Sequence, residues 1–298
     1  MPSSSYRFFA PFILLVALFW SAACSPDRIP QSESLKLGYV PSDPATSDRK
    51  AAFEALRDYL ESRLETQVEL VQTSSYQPAI NAMKNGEIDI LNFGSYAYLI
   101  AENEANAEAF AARGRPDGAP YDYQSLIITH RDAPWKTIEE ALGQASELKV
   151  CFTNKASTSG YLIPKAFIAS QGLNPENEFA ETRYSNSHVL SILQTAQGQF
   201  DLATVSSNSL DDLISSKKID PHSIRILWRS AAIPNGPVAY RKDLDAELKQ
   251  QIRETYYTAH LAEPAIWTTI KTQYPNRDFI YIPATPNDFR DLTAQLAK

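Results

Sequence analysis

Residues 147–166 read ELKVCFTNKASTSGYLIPKA, and they show most clearly the unit of strand, polar junction and helix from which the fold can be predicted. An apolar strand ends near Thr153, and a helix whose apolar residues include Ile163 and Phe167 begins close to Ser159. The same order of strand, polar junction and helix recurs along the chain, starting from LKLGYV. Strands that alternate with helices pair in parallel through crossovers, so the sequence predicts an α/β protein with sheets covered by helices on both faces.

Two extended segments, near residues 125–131 and 237–242, bracket an inner block of the chain. We therefore expect an outer lobe made of residues 35–128 and 237–298, an inner lobe made of residues 129–236, and a two-strand hinge between them. Ligands bind open α/β sheets at the carboxyl ends of the strands, where helices begin. The cleft between the lobes should therefore collect strand-to-helix junctions from both sides.

Residues 1–23 have the pattern of an export signal, in which one cation precedes the apolar run FFAPFILLVALFW and the small residues of SAAC follow. The run is too short for a convincing membrane span. SAAC also resembles the lipobox of bacterial lipoproteins, which implies that Cys24 becomes a lipid-modified first residue and that residues 24–34 form a polar tether. The alternative is an ordinary signal cleaved at the pair Ser21 and Ala23, with Cys24 incidental. Both interpretations predict export.

The composition of the 298-residue chain is that of a globular protein, with 44 % apolar and 21 % charged residues and a net charge of −7. An acidic exported protein is a poor candidate for binding nucleic acid, which depends on Lys and Arg to neutralise phosphates. Two cysteines and four scattered histidines give no metal-ligand spacing, so we expect no metal and no cofactor. If Cys24 is lipidated, only Cys151 remains and no internal disulfide can form.

The junction Ser157, Thr158, Ser159 and Gly160 is a candidate oxyanion site. The first N–H groups of a helix have no partner within the helix and carry partial positive charge, so they can bind an anion without a cationic side chain. The hydroxyls add further donors, and Gly160 would let the backbone approach a ligand closely. The alternative is that Ser157 or Ser159 is simply an N-cap, for which one hydroxyl is enough.

A second inner-lobe junction, SNSHVLSILQTAQGQ, places Ser187 and His188 at the start of another helix. The ring N–H of His188 can donate to an oxyanion, and the alternative is a surface or capping histidine. Tyrosines at a cleft edge can pack against a small ligand and donate one hydrogen bond, although core packing is commoner. The outer-lobe junctions TSSYQPAI and NFGSYAYL supply the further candidates Tyr76, Phe93, Ser95 and Tyr96.

In this order, the junctions resemble those of the phosphonate-binding proteins of bacterial ABC importers, within the broader phosphate, phosphite and phosphonate binding family. The resemblance extends from LKLGYVPSDP to IPNGPVAYRKDL, and STSG followed by SH and GQFDLA is its most specific part. It implies a two-lobed, type II periplasmic-binding-protein fold that closes over its ligand. It also implies that Ser157, Thr158, Ser159 and His188 hold the phosphorus oxygens while Tyr76 reaches in from the other lobe.

Two departures from the family pattern bear on the ligand. Members that take an aminophosphonate are similar to one another in carrying acidic residues for the amine, at positions that here are Asn208 and Gly236. A buried ammonium needs a carboxylate partner, and Phe93 stands where a tyrosine is common. We therefore expect phosphite, phosphate, hypophosphite or a small alkylphosphonate, with Asn208 and Asn235 among the binding residues. We expect N–H groups and hydroxyls to hold this ligand with no metal or arginine clamp.

The resemblance implies an ABC permease in the inner membrane as the partner, a periplasmic or cell-surface location, and membrane contact only through a lipid anchor at Cys24. One alternative is a binding module that reports ligand to a membrane sensor kinase. Another is a hydrolase with the triad Ser159, His188 and Asp201. The chain lacks the GxSxG elbow and Asp201 lies in an apolar strand pattern, so we do not expect an enzyme.

Overall fold

A computed structural model describes residue 1 and residues 34–40, 47–272 and 277–295 of the chain. Residues 2–23 of the predicted export signal, Cys24 and most of the predicted tether lie outside these described residues. From Ser34 onward the described chain belongs to one compact unit. A search of the described residues finds no helix with the length and apolar character needed to span a bilayer.

The strands of the described residues are, in chain order, β1 (Leu35–Tyr39), β2 (Val68–Gln72), β3 (Ile90–Asn92), β4 (Ala107–Gly114), β5 (Asp122–Tyr123), β6 (Ser125–His130), β7 (Lys149–Phe152), β8 (Glu181–Tyr184), β9 (Leu202–Ser206), β10 (Ile224–Arg229), β11 (Ile233–Pro234), β12 (Val238–Arg241) and β13 (Ile280–Pro283). The α-helices are α1 (Ser47–Leu64), α2 (Tyr76–Lys84), α3 (Ser95–Glu104), α4 (Ile138–Leu142), α5 (Ile163–Ser170), α6 (His188–Ala196), α7 (Ser207–Ser215), α8 (Ala246–Thr258), α9 (Pro264–Lys271) and α10 (Asn287–Gln295). A π-helical turn, Thr158–Leu162, leads directly into α5.

The two larger sheets have the same arrangement of parallel and antiparallel strands. The outer-lobe sheet has the order β2-β1-β3-β12-β4-β13, and the inner-lobe sheet has the order β8-β7-β9-β6-β10. In each sheet three parallel strands are followed by an antiparallel strand, β12 in the outer lobe and β6 in the inner lobe. Each of these antiparallel strands begins shortly after the chain has crossed from the other lobe, which confirms the two-lobed α/β interpretation.

The strands that join the two lobes are β5 and β11, which pair antiparallel with Ile233 opposite Tyr123. We predicted the crossings a few residues later, near 125–131 and 237–242, where β6 and β12 lie within the two larger sheets. The predicted lobe boundary at residue 128 therefore falls inside β6. Only Gln124 separates β5 from β6, so the extended pattern gives no sign of the point at which the chain changes sheet.

Burial of apolar faces explains why these segments fold as they do. The predicted face of α1 is buried, with Phe53, Leu56, Leu60 and Leu64 all packed into the outer-lobe core against β1 and β2. Every residue of β9 is buried, as expected for a strand whose sheet is covered on both faces. Apolar residues therefore fix the middle of each lobe, and the polar junctions are left at the strand ends.

Candidate ligand-binding site

A cavity of about 150 Å³ lies between the two lobes. Among the described residues, five helical segments begin at its walls: α2 and α3 from the outer lobe, and the π-helical turn, α6 and α7 from the inner lobe. A cavity of this volume can take a benzene-sized molecule, so it is large enough for a small ligand. Because helix starts present N–H groups and partial positive charge, the cavity is suited to a small anion.

Most of the residues predicted from the sequence meet at this cavity. Those that line it are Tyr76, Phe93, Ser157, Thr158, Ser159, His188, Asn208 and Asn235. Ser95, Tyr96 and Gly160 are not among the lining residues. These three residues make structural contacts within the inner lobe or between the lobes.

The three hydroxyls of the STSG junction have two roles. The Ser157 hydroxyl caps a helical turn, and the hydroxyls of Thr158 and Ser159 contact the hinge strand β5. Ser157 Oγ accepts a hydrogen bond from Gly160 N at 3.0 Å and so caps the π-helical turn, as the N-cap alternative predicted. Ser159 and Thr158 form side-chain hydrogen bonds with Tyr123, which lies on β5. Burial raises the pKa of Tyr123 to about 12, and these hydrogen bonds offset part of the rise. The Tyr123 phenol therefore stays protonated at neutral pH and can donate.

Gly160 is required by packing within the inner lobe. A Cβ built at this position would overlap the side chain of Thr153 at the end of the preceding segment. Its carbonyl accepts hydrogen bonds from Thr204 Oγ1 at 2.6 Å and from Thr153 N at 3.1 Å. The expectation that Gly160 lets the backbone approach a ligand is therefore corrected, because this glycine lies against β7 and β9 and outside the cavity lining.

Thr158 joins the two lobes directly. Its Oγ1 accepts a hydrogen bond from Tyr96 N, at the start of α3, at 2.9 Å. On the same helix Ser95 is fully buried, and its Oγ donates to Pro234 O of β11 at 2.7 Å. Ser95 and the Tyr96 amide thus hold α3 against the inner lobe and the hinge, and the Tyr96 side chain packs against the cluster of Ile163 and Ile233.

His188 is the first residue of α6, and its ring is fixed by the neighbouring strand. Ser206 N, at the end of β9, donates to His188 Nδ1 at 3.0 Å. Because Nδ1 accepts, the neutral imidazole carries its proton on Nε2. Ser187 caps α6 by accepting from Leu190 N at 3.2 Å. The junction therefore presents an oriented ring donor beside the N–H groups of a helix start.

Gly236 shows why the acidic position of aminophosphonate binders has no counterpart at this place in the chain. A Cβ at Gly236 would overlap the carbonyl of Phe93 and the backbone of Gly94. A side chain of any kind is therefore excluded here by the close approach of the segment after β11 to the start of α3. The sequence-based interpretation recognised the missing carboxylate, and the geometry gives the steric reason for it.

Arg113, which the sequence did not single out, lines the cavity at the end of β4. Its NH2 group donates to Asn235 Oδ1 at 3.2 Å. Asn235 Oδ1 also accepts from Asn208 Nδ2 at 3.3 Å, and Asn235 Nδ2 donates to the carbonyl of Tyr121 at 2.9 Å. The expectation of a cavity without an arginine is therefore wrong, because β4 ends at the hinge and brings a guanidinium to the cleft.

A carboxylate also lines the cavity, contrary to what the missing acids suggested. Asp212 lies one helical turn after Asn208 on α7, and its Oδ1 accepts from Arg277 NH1 at 2.9 Å. Both side chains of this ion pair are only 16 % exposed. Arg277 NH2 also donates to the carbonyl of Asn208 at 3.2 Å. The pair links the inner lobe to the outer lobe and balances the negative charge that would otherwise attract an amine.

The four residues that sequence reasoning missed differ in how they could have been found. Asp212 could have been found from its helical spacing to Asn208, since residues four apart share a helix face. Arg113 is one of two arginines, with Arg115, that follow the strand pattern AEAFAA, which is a weak signal. Tyr123 and Arg277 reach the cleft only through pairing with distant parts of the chain.

The triad Ser159, His188 and Asp201 does not assemble. The Asp201 carboxylate accepts from Lys149 N at 2.8 Å, at the amino-terminal ends of β7 and β9. The cavity lies at the opposite, carboxyl ends of these strands. There the Ser206 amide donates to Nδ1 of His188. A histidine oriented by a backbone amide lacks the carboxylate that a Ser–His–Asp arrangement requires.

Comparison with known proteins places these features in a family. Residues 37–272 match the family model described as the periplasmic substrate-binding protein of phosphonate ABC transporters. The phosphonates-binding periplasmic protein of Escherichia coli is 26 % identical over 226 residues, a match that covers 76 % of this chain and 66 % of that protein, just under two thirds of its length. A phosphate-import protein of Mycolicibacterium smegmatis is 27 % identical over 251 residues, covering 79 % of this chain and 77 % of that protein.

Among solved structures, a protein of Prochlorococcus marinus in complex with methylphosphonate superposes with a TM-score of 0.76. It is 17 % identical, and the superposition covers 89 % of this chain and 99 % of that chain. At this identity the likeness concerns the fold, and it confirms the two-lobed type II periplasmic-binding-protein architecture that the sequence predicted.

Proposed function

The chain belongs to the family of periplasmic substrate-binding proteins of phosphonate ABC transporters, a family of binding proteins and not of enzymes, and we propose that it captures a small phosphorus oxyanion in the cleft between its lobes. The candidate ligands are phosphite, phosphate, hypophosphite and alkylphosphonates. The phosphonate and phosphate named for the relatives support this class of ligand.

The convergence of five helix starts on one cavity is the observation that carries the proposal. A tetrahedral oxyanion needs several donors from different directions, and the helix starts supply N–H groups from both lobes. Thr158, Ser159 and Tyr123 add hydroxyls, and His188 adds a ring N–H that is held in place by Ser206. Arg113 contributes positive charge at the hinge side of the same cavity.

The size of these interactions suits a transport receptor. Three charge-assisted hydrogen bonds at about 2 kcal/mol each, with about 1 to 2 kcal/mol from the helix starts, give about 7 to 8 kcal/mol. That corresponds to roughly micromolar affinity before the cost of ordering is subtracted. Closure about β5 and β11 would form the contacts on both sides of the ligand, and opening would release it.

Calorimetry on the purified chain tests the proposal. We expect saturable binding of at least one of phosphite, phosphate, hypophosphite and methylphosphonate, and weaker binding of 2-aminoethylphosphonate. Sulfate serves as the control anion. If none of the phosphorus anions binds above the level of sulfate, the proposed function is refuted.

We also propose an ABC permease as the partner, with the chain held at the membrane by a lipid on Cys24. In the source organism, deletion of the gene should abolish uptake of the bound anion, and Cys24→Ser should release the protein from the membrane fraction. If deletion leaves uptake intact but abolishes a transcriptional response to the anion, the sensor alternative holds instead. If Cys24→Ser leaves the protein membrane-bound, the lipid anchor is refuted and the binding proposal is unaffected.

A further inference from the structure

A small space of about 10 Å³ adjoins the hinge side of the cavity and shares Arg113, Asn208 and Asn235 with it. Its other walls are Tyr121, Arg277 and Phe279. A space of this size admits about one water-sized group. It therefore has room for a single oxygen atom of a ligand group that approaches Arg113 from the main cavity.

Positive charge dominates this end of the cleft. Counted over the described residues that line the two spaces, there are two guanidinium groups, Arg113 and Arg277, and one carboxylate, Asp212. Asp212 already accepts from Arg277 at 2.9 Å. In a partly buried site the surplus charge stabilises an anionic oxygen and repels an ammonium, since the effective dielectric constant is well below that of water.

Arg113 is positioned before any ligand arrives. Its NH2 group donates to Asn235 Oδ1, and Asn235 is in turn held by the Tyr121 carbonyl and by Asn208 Nδ2. A guanidinium held in one orientation loses little conformational freedom on binding. It can also form two parallel hydrogen bonds with a planar carboxylate, which a lysine cannot.

Building on the proposed function, we propose that Arg113 sets the ligand class: the ligand is a phosphonate whose organic substituent ends in a second anionic group, with a carboxylate as the simplest case. The phosphorus group lies among the helix starts and the second group lies beside Arg113. The cavity of about 150 Å³ has the volume of a cavity that can take a benzene-sized molecule, and so has room for a phosphorus group with a short substituent.

The test compares four ligands by calorimetry: phosphonoacetate, its uncharged analogue carbamoylmethylphosphonate, methylphosphonate and 2-aminoethylphosphonate. For the native chain we expect phosphonoacetate to bind at least about tenfold more tightly than each of the other three, because it gains a charge-assisted hydrogen bond. In Arg113→Gln the ratio between phosphonoacetate and carbamoylmethylphosphonate should fall to about one. Arg113→Lys, which keeps the charge but loses the planar fork, should give an intermediate ratio.

Arg115→Gln is the matched control, since Arg115 is half exposed beside Asp117 and does not line the cavity. It should leave all four affinities unchanged. The proposal is overturned if the native chain binds carbamoylmethylphosphonate or methylphosphonate as tightly as phosphonoacetate, a result that needs no variant to fold. It is also overturned if folded Arg113→Gln keeps the native ratio. Binding of methylphosphonate without this preference would leave the proposed function standing, whereas no binding of any phosphonate or phosphate would refute both.

Discussion

The inner-lobe wall of the cleft is built from residues that are neighbours in sequence, whereas the hinge wall is built from residues far apart in the chain. Ser157 caps a turn that starts one residue later, and Ser187 caps α6 in the same way. At the hinge, Arg113 contacts Asn235 across 122 residues and Arg277 contacts Asp212 across 65 residues. The two walls thus supply different chemistry: oriented N–H groups and hydroxyls on one side, and cations fixed by long-range pairing on the other.

We therefore expect the two walls to have different roles in ligand binding. The local wall should determine whether a phosphorus oxyanion binds at all, because Thr158, Ser159 and His188 line the cavity at the starts of the π-helical turn and α6. The long-range wall should determine which substituent is accepted and how firmly the lobes close. Variants on the two sides should therefore change different measured quantities.

The largest effect is expected from removing two donors of the inner-lobe wall together. Thr158→Val with His188→Ala eliminates a hydroxyl and a ring N–H, each part of a bond worth about 1.5 to 3 kcal/mol to a charged ligand. Affinity for methylphosphonate should fall at least about 100-fold by calorimetry. Ser170→Ala, which removes an exposed inner-lobe hydroxyl bonded to the Phe167 carbonyl, is the control. An unchanged affinity in the double variant would mean that this wall is not the binding wall.

A second variant examines the packing that supports the local wall. Gly160→Ala places a Cβ against the Thr153 side chain, and such overpacking typically costs about 1 to 3 kcal/mol. The free energy of unfolding from urea titration should fall by that amount. Gly143→Ala is the control, because its Cβ would meet the nearest backbone atom at an ordinary 3.4 Å. Equal stability of the two variants would show that the turn tolerates a side chain at Gly160.

The long-range wall is tested through its interlobe ion pair. Arg277→Gln removes the partner of Asp212, a bond worth about 1 to 2 kcal/mol after allowance for partial exposure. We expect a larger radius of gyration by small-angle X-ray scattering and an affinity for methylphosphonate lowered by about fivefold to thirtyfold. Lys271→Gln, whose ammonium pairs with Asp278 inside the outer lobe at 2.8 Å, should change neither quantity. A compact, tightly binding Arg277→Gln variant would contradict a role in closure.

The smallest effect concerns Glu176, an inner-lobe residue outside the cleft. A hydrogen bond from Tyr161, with others from Tyr184 and Lys165, lowers the pKa of Glu176 to about 2. A carboxylate with a depressed pKa stabilises the fold above its unfolded pKa, and this stabilisation is lost as the pH falls from about 4.5 towards 2.

Because the Glu176 side chain is 35 % exposed, we expect the contribution at neutral pH to be at most about 1 kcal/mol. The difference in melting temperature between the native chain and Glu176→Gln should therefore shrink as the pH falls through this range, while phosphonate affinity at pH 7 stays unchanged. A difference that remains constant down to pH 2.5 would contradict the assignment of the stabilisation to the ionised carboxylate.

The sequence predicted the parts of the fold and site that depend on neighbouring residues, and it missed the parts that depend on long-range pairing. Apolar spacing predicted α1 and its buried face, and hydroxyls after strands predicted the places of Ser157, Thr158, Ser159 and His188, because both signals are local. The crossing point was predicted a few residues late, since β5 continues into β6 with one residue between them. Arg113 and the Arg277 pair could not be predicted, because their approach to the cleft depends on which strands pair across the hinge.

The central claim is that backbone N–H groups at two inner-lobe helix starts hold the phosphorus oxyanion, and amide chemical shifts measure this directly. Four amides of these helix starts already donate within the protein: those of Ser157, Gly160, Ser187 and Leu190. In a titration of the isotope-labelled chain with methylphosphonate, followed by proton–nitrogen correlation spectra, we therefore expect the largest saturable shifts at residues 158–159 and 188–189, with downfield movement of the amide protons. Saturable binding with the largest shifts elsewhere, and none at these four amides, would show that the helix starts do not hold the ligand.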